Sequence, residues 1–249
     1  MNEEVVIIEM SESRRRRRVP SRLSVLRKRV AGGRRAQHEE FASIMEIAHV
    51  IARKDPKTLP ALVKLIGRSS QARVMNEVLR HEQDAKTCHY EERNALFDTT
   101  APITPDGCSL EDLKRMVPAP RPLKLGVDLV FPWPWERGRV IRNLCDLRPG
   151  GEGGEWRQDW NHAVILWLPL GVGWVGGGNH SITAGIIHAQ GEVTPEETYD
   201  ISRVYKHVAC DGVEYKRVHD GKTIGPVPDL EMAAIFEIGR LIKKHRVGF

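Results

Sequence analysis

Apolar residues recur at helical spacing from Gln37 onward. Phe41, Ile44, Met45, Ala48, Ile51 and Ala52 form one stripe with the i, i+3, i+4, i+7 period of an amphipathic helix. Asp55-Pro56 predicts its end, because the residue before a proline is driven out of helical backbone. A short second helix is expected from Pro60 to Gly67, with the proline in its first turn and the glycine as its stop. A third begins at Ser69-Ser70 and uses Val74, Val78, Leu79 and Ala85. Ser109-Leu110-Glu111-Asp112 has the spacing of a capping box and opens a fourth helix, which Val117-Pro118 should end. Residues 37–117 therefore read as a helical unit.

Pro118, Pro120 and Pro122 mark an extended connector, and the period then changes. Strand-like runs occupy 123–131, 162–168 and 171–175. Two more, near 204–209 and 213–218, flank Asp211-Gly212, a strong hairpin signal. Asp220-Gly221 is a second turn. Asp229 is placed to cap a last helix whose stripe is Met232, Ile235, Phe236, Gly239 and Ile242. Lys243, Lys244, His245 and Arg246 follow, where positive charge suits the helix dipole. The expectation is an α+β protein in three parts: a basic flexible tail over 1–36, the helical unit over 37–117, and a small mixed-sheet domain over 123–249 ending in a helix.

Composition sharpens the first of these parts. The 249-residue chain has a formal net charge of +5, from 38 basic and 33 acidic residues. Eleven of the basic residues and no acid lie between positions 14 and 35, so the other 27 face 33 acids and the body is mildly acidic. The run Arg14, Arg15, Arg16, Arg17 and Arg18 repels itself and has little to bury, which predicts a solvated tail. Contact with nucleic acid or an anionic membrane surface is the functional alternative for 14–35. No apolar stretch approaches the roughly 20 residues of a membrane span; the longest, Ala163 to Val175, is broken by Pro169, Gly171 and Gly173. Cys88, Cys108, Cys145 and Cys210 form no CxxC pair, so reduced thiols of a cytoplasmic protein are expected, with neither a disulfide framework nor a zinc site.

One segment carries chemistry. Trp174-Val175 ends an apolar run, Gly176-Gly177-Gly178 follows, and Asn179-His180-Ser181-Ile182-Thr183-Ala184 opens a predicted helix. Glycines let the backbone turn sharply and let an anion approach it, and the first N–H groups of a helix face that anion. Asn179, His180, Ser181 and Thr183 add side-chain groups. The segment is neither a Walker A loop nor a GxGxxG fingerprint. The plainer alternative is a glycine-rich turn capped by Asn179.

Gly178-Asn179-His180-Ser181-Ile182-Thr183-Ala184 resembles the strand–loop–helix motif of the ParB and sulfiredoxin superfamily. Phe131-Pro132-Trp133-Pro134-Trp135-Glu136-Arg137 is similar to the entry segment of ParB domains. The resemblance implies a ParB-like domain within residues 123–249 whose loop binds nucleotide phosphates. A nucleotide with magnesium is the implied ligand, and hydrolase or phosphotransferase chemistry is the implied class. Two departures limit it. Ser181 stands where the family has an arginine, and Asn179 where sulfiredoxin has its cysteine, so sulfiredoxin activity is not implied. No counterpart of the ParB helix-turn-helix follows. A tryptophan, proline and leucine stretch together with Gly178-Asn179-His180-Ser181 also resembles an uncharacterised bacterial family. The rival reading is a non-enzymatic nucleic-acid or protein interaction factor acting through the basic tail.

Other residues have plainer roles open to them. His180 is the weak candidate for catalysis and otherwise a first-turn residue. His188, Asp159, His162 and Asp200 could join it only loosely, without the tight spacing of a metal site, so none is expected. His219-Asp220 reads as a turn between strands. Trp133 and Trp135 read as a plug beneath the loop, or as a stacking platform.

Overall fold

The computed structural model describes residues 22–80, 92 and 94–249, with side chains from residue 32 onward. Contacts divide the chain after residue 35, and residues 36–249 form one unit. Helix α1 (Arg22–Lys54) begins before Gln37. Arg, Leu and Lys are good helix formers, and a Cβ at Gly32 or Gly33 would meet nothing within 4 Å. Asp55 ends α1 and caps the following turn by accepting from the Lys57 amide at 3.1 Å.

Helix α2 (Leu59–Arg80) runs without a break where two helices were expected. Gly67 does not stop it. A Cβ there would collide with the Leu129 side chain, so this glycine is a close-packing site on the sheet. Ala85, assigned to the same stripe, lies outside the described residues. Ser109 and Asp112 form the expected capping box on α3 (Leu110–Leu113). That helix lasts one turn, because Arg115 and Met116 find backbone partners in a sheet instead.

The remaining elements follow in order: β1 (Arg115–Met116), β2 (Leu123–Lys124), β3 (Leu129–Phe131), α4 (Arg137–Asp146), β4 (Val164–Leu168), β5 (Val172–Val175), α5 (Asn179–Ile187), β6 (Glu192–Val193), β7 (Glu197–Asp200), β8 (Val208–Cys210), β9 (Glu214–Arg217), β10 (Thr223–Pro226) and α6 (Leu230–Lys244). The fold is α+β, as expected. Its main sheet is mixed and five-stranded, in the order β1-β7-β4-β5-β3. The β3–β5 and β4–β7 pairs are parallel; β4–β5 and β1–β7 are antiparallel. Strands β8, β9 and β10 form a separate antiparallel sheet, with Asp211-Gly212 and Asp220-Gly221 in its two turns. Residues 204–206, expected to begin a strand, belong instead to a 3-10 turn over 202–206 that buries Val204 and Tyr205.

Alternation along the main strands divides the core between the sheet's faces. Leu129, Phe131, Trp167, Val172 and Trp174 join the cluster that includes α1, α2 and α6. Val130, Val164 and Leu166 join Ile182 and Ile186 of α5 on the other face. Asp229 caps α6 by accepting from the Met232 amide at 2.9 Å, and the expected apolar stripe of α6 is buried.

Candidate functional site

Strands β3 and β5 are parallel neighbours, so the loops that leave their carboxyl ends must meet. From β3 the chain passes through Trp133 to Glu136 into α4. From β5 it passes through Gly176 to Gly178 into α5. Two bonds fasten these exits together. The Trp133 amide donates to Asn179 Oδ1 at 2.7 Å, and the Glu136 amide donates to His180 Nε2 at 3.1 Å. The second bond places the His180 proton on Nδ1. His180 is buried, with the Trp135 ring edge-on at 4.5 Å.

The antiparallel β4–β5 pair adds a third segment. Val164 pairs with Val175, so residues 159–163 lie beside the glycine loop. The Gly176 and Gly177 amides donate to the Ala163 carbonyl at 2.9 and 3.2 Å. A Cβ on Gly177 would strike the Asn161 carbonyl, and one on Gly178 would strike the His162 ring. Gly178 also has φ +75°, a left-handed conformation natural only to glycine. The expected glycine turn is thus dictated by what packs against it.

These three segments line an open cavity of about 410 Å³. Gly176, Gly177, Gly178, Asn179, His180 and Ser181 line it, as do Trp135, Arg139, Asn143 and Asn161. Thr183 does not: it is buried, and its hydroxyl donates to the Asn179 carbonyl at 2.7 Å. Asn179 spends its side-chain oxygen on Trp133. The exposed Arg139 is held at Nε by Glu136 at 2.6 Å, and its terminal guanidinium nitrogens form the fork that suits tetrahedral anions.

Beside the cavity, His162 and Asp159, expected only as loose metal donors, meet Ser181, expected as a donor toward the anion. His162 Nε2 is 2.7 Å from Ser181 Oγ, and His162 Nδ1 is 2.8 Å from Asp159 Oδ1. The other two candidates go elsewhere: the His188 ring bonds the Leu144 carbonyl at 3.0 Å, and Asp200 pairs with Arg115 at 3.1 Å. His219 and Asp220 sit in the β9–β10 turn, with Arg217 on Asp220. Among the described residues no group of three or more His, Cys, Asp or Glu is placed to hold a metal. Arg14 to Arg18 lie outside the described residues.

A family model matches residues 27–249, covering the α-helical segment, the main sheet and the cavity together. The chain belongs to DUF6710. That family is described as one of unknown function. No curated protein and no solved structure matches the DUF6710 chain. Among the described residues, no helix of this DUF6710 protein is long and apolar enough to cross a membrane.

Arg139, Asn143 and Asn161 went unnoticed in the sequence. A basic residue in the first turn of a helix carries no mark of its target. Only the parallel pairing of β3 with β5 turns that helix toward the glycine loop.

Proposed function

We propose that the cavity binds a phosphate group, as carried by a nucleotide, and that β5, the glycine loop and α5 work as a ParB-like phosphate loop. The observation that carries this reading is the convergence of the loop, the first turn of α5 and the Arg139 guanidinium on one cavity. The N-terminus of a helix holds about half a positive charge and presents amides outside the helical ladder. Arg139 adds a guanidinium fork from α4, its charge shared with the Glu136 carboxylate 2.6 Å from Nε. It compensates for Ser181, which stands where the resembling motif has its arginine. Hydrolase or phosphotransferase chemistry is the class such a site admits, with magnesium arriving on the nucleotide.

Isothermal titration with inorganic phosphate and with the common nucleoside triphosphates, with and without magnesium, tests the reading. The wild-type protein should bind at least one of them. Arg139→Ala should weaken that binding about tenfold or more by removing a charge-assisted contact. Gly178→Val should abolish it, since the side chain displaces His162 and strains the turn. Absence of binding by the wild-type protein to every one of these ligands overturns the reading.

A further inference from the structure

We propose that Ser181 is a nucleophile activated by His162, and that the site moves the phosphoryl group of a phosphate monoester onto Ser181 before water releases it. The proposal rests on the phosphate-binding reading and assigns that site its reaction.

Ser181 Oγ, His162 and Asp159 stand in the order nucleophile, base, orienting carboxylate, at 2.7 and 2.8 Å. That is the distance range in which a hydroxyl is activated by an imidazole. A serine that only capped backbone would need no more than the Gly178 carbonyl, which lies 3.0 Å from Oγ. It would not need a buried imidazole backed by a carboxylate. His162 is 8% exposed and wedged between the Trp156 ring, 4.8 Å away, and Gly178. Its ring is therefore fixed, while Ser181 borders the cavity.

The Asp159 amide donates to Nδ1 at 2.9 Å and Ser181 Oγ donates to the Gly178 carbonyl, so the resting ring carries its proton on Nε2. The reactive tautomer forms when that proton moves to Nδ1 and the Asp159 amide bond is given up. The ring then donates to the Asp159 carboxylate, and Nε2 is the acceptor that can take the Ser181 proton. In this form, Oγ attacks phosphorus, the Oγ–P bond forms and the hydroxyl proton passes to Nε2. The bond from phosphorus to the leaving oxygen breaks, and Nε2 returns the proton to the departing alcohol. Water then attacks phosphorus, giving a proton to Nε2. The Oγ–P bond breaks, Oγ is reprotonated, and inorganic phosphate leaves. Arg139 and the first amides of α5 face the charge on the phosphoryl oxygens throughout.

A fluorophosphonate reports on this arrangement directly, because its capture forms the Oγ–P bond and expels fluoride. Peptide mapping should place the adduct on Ser181, and inorganic phosphate should slow its formation. Ser181→Ala should lose labelling. His162→Gln should lower the labelling rate about a hundredfold or more. Since His162 is buried, the exposed Asp159 provides a second variant. Asp159→Asn, which keeps an oxygen for the Asn161 amide at 2.8 Å, should cut the maximal labelling rate about tenfold or more while leaving the half-saturating probe concentration unchanged. Phosphate binding without labelling of Ser181, or labelling that survives both the His162 and Asp159 substitutions, overturns this proposal and leaves the phosphate site standing. Failure of the wild-type protein to bind phosphate or nucleotide removes the reading beneath it, and this proposal with it.

Discussion

Two polar clusters flank the same sheet, and they are built to opposite ends. Asp128 follows the turn after β2 and is completely buried. Arg121 grips it with two nitrogens at 2.6 and 2.9 Å, the Lys124 amide donates at 2.7 Å, and Lys64 of α2 lies at 3.0 Å. Arg68 ties the same turn to α2 through the Gly126 and Val127 carbonyls. The cluster around Ser181 has a single hydroxyl, a single imidazole and an exposed carboxylate, and one side of it borders a cavity. The first arrangement surrounds a carboxylate with donors and so fixes the loop. The second keeps a hydroxyl within reach of something outside the protein. Burial of polar groups alone does not mark a functional site; a reactive group left on a cavity does.

The largest effect that separates the two is removal of Asp128. Asp128→Ala leaves the positive ends of Lys64 and Arg121 and the Lys124 amide without their acceptor. The expected loss is about 3 kcal/mol of stability, the usual scale for breaking a buried pair, moderated because both cations are partly exposed and can hydrate. Phosphate affinity of the folded variant should not change. Urea denaturation and phosphate titration on the same preparation check both halves. A large change in affinity with little change in stability would reverse the roles of the two clusters.

A somewhat smaller effect appears on acidification. Burial opposes ionisation of Asp128, but Arg121, the Lys124 amide and Lys64 outweigh it, holding the carboxyl at about 2 rather than 3.8. On acidification the unfolded chain therefore takes up this proton first. The contribution to stability is complete above about pH 5, declines through the range between the two values, and is gone below about pH 2. Its size is about 2 kcal/mol. Denaturation midpoints of the wild-type protein should fall more steeply between pH 5 and pH 2 than those of Asp128→Asn. Parallel curves would show that the cluster does not hold the carboxylate ionised.

The contrast also shows which parts of the structure were legible in the sequence. Caps at Ser109 and Asp229 are local, so a few residues suffice to read them. The hairpin turns at Asp211-Gly212 and Asp220-Gly221 are equally local. Gly67 looked like a helix stop because its reason is Leu129, far along the chain. The helix expected up to Val117 gives way to β1 because Met116 pairs with Tyr199. In the site, the glycine loop was visible as composition, but its partners were not. Ser181 meets His162 across 19 residues only because β4 and β5 are antiparallel. Arg139 reaches the loop only because β3 and β5 are parallel. No periodicity in the chain encodes either pairing.

The smallest effect draws the border of the open cluster. Thr183 belongs to the same short segment as Ser181, and the sequence predicts for both the role of donor toward the anion. In the fold it lies on the buried side of α5, its hydroxyl donating to the Asn179 carbonyl one turn back. That bond is an addition to the helical ladder, and such back-bonding by threonine stabilises a helix little. Thr183→Val keeps the shape and removes only the hydroxyl. Because the carbonyl keeps its place in the ladder, the expected cost is about 0.5–1 kcal/mol. Phosphate affinity and fluorophosphonate labelling should stay at their wild-type values, while Ser181→Ala, two residues away, loses the labelling. A tenfold loss of phosphate affinity in Thr183→Val would move the border inward by two residues along α5. It would also mean that α5 offers the ligand a face the structure assigns to the core.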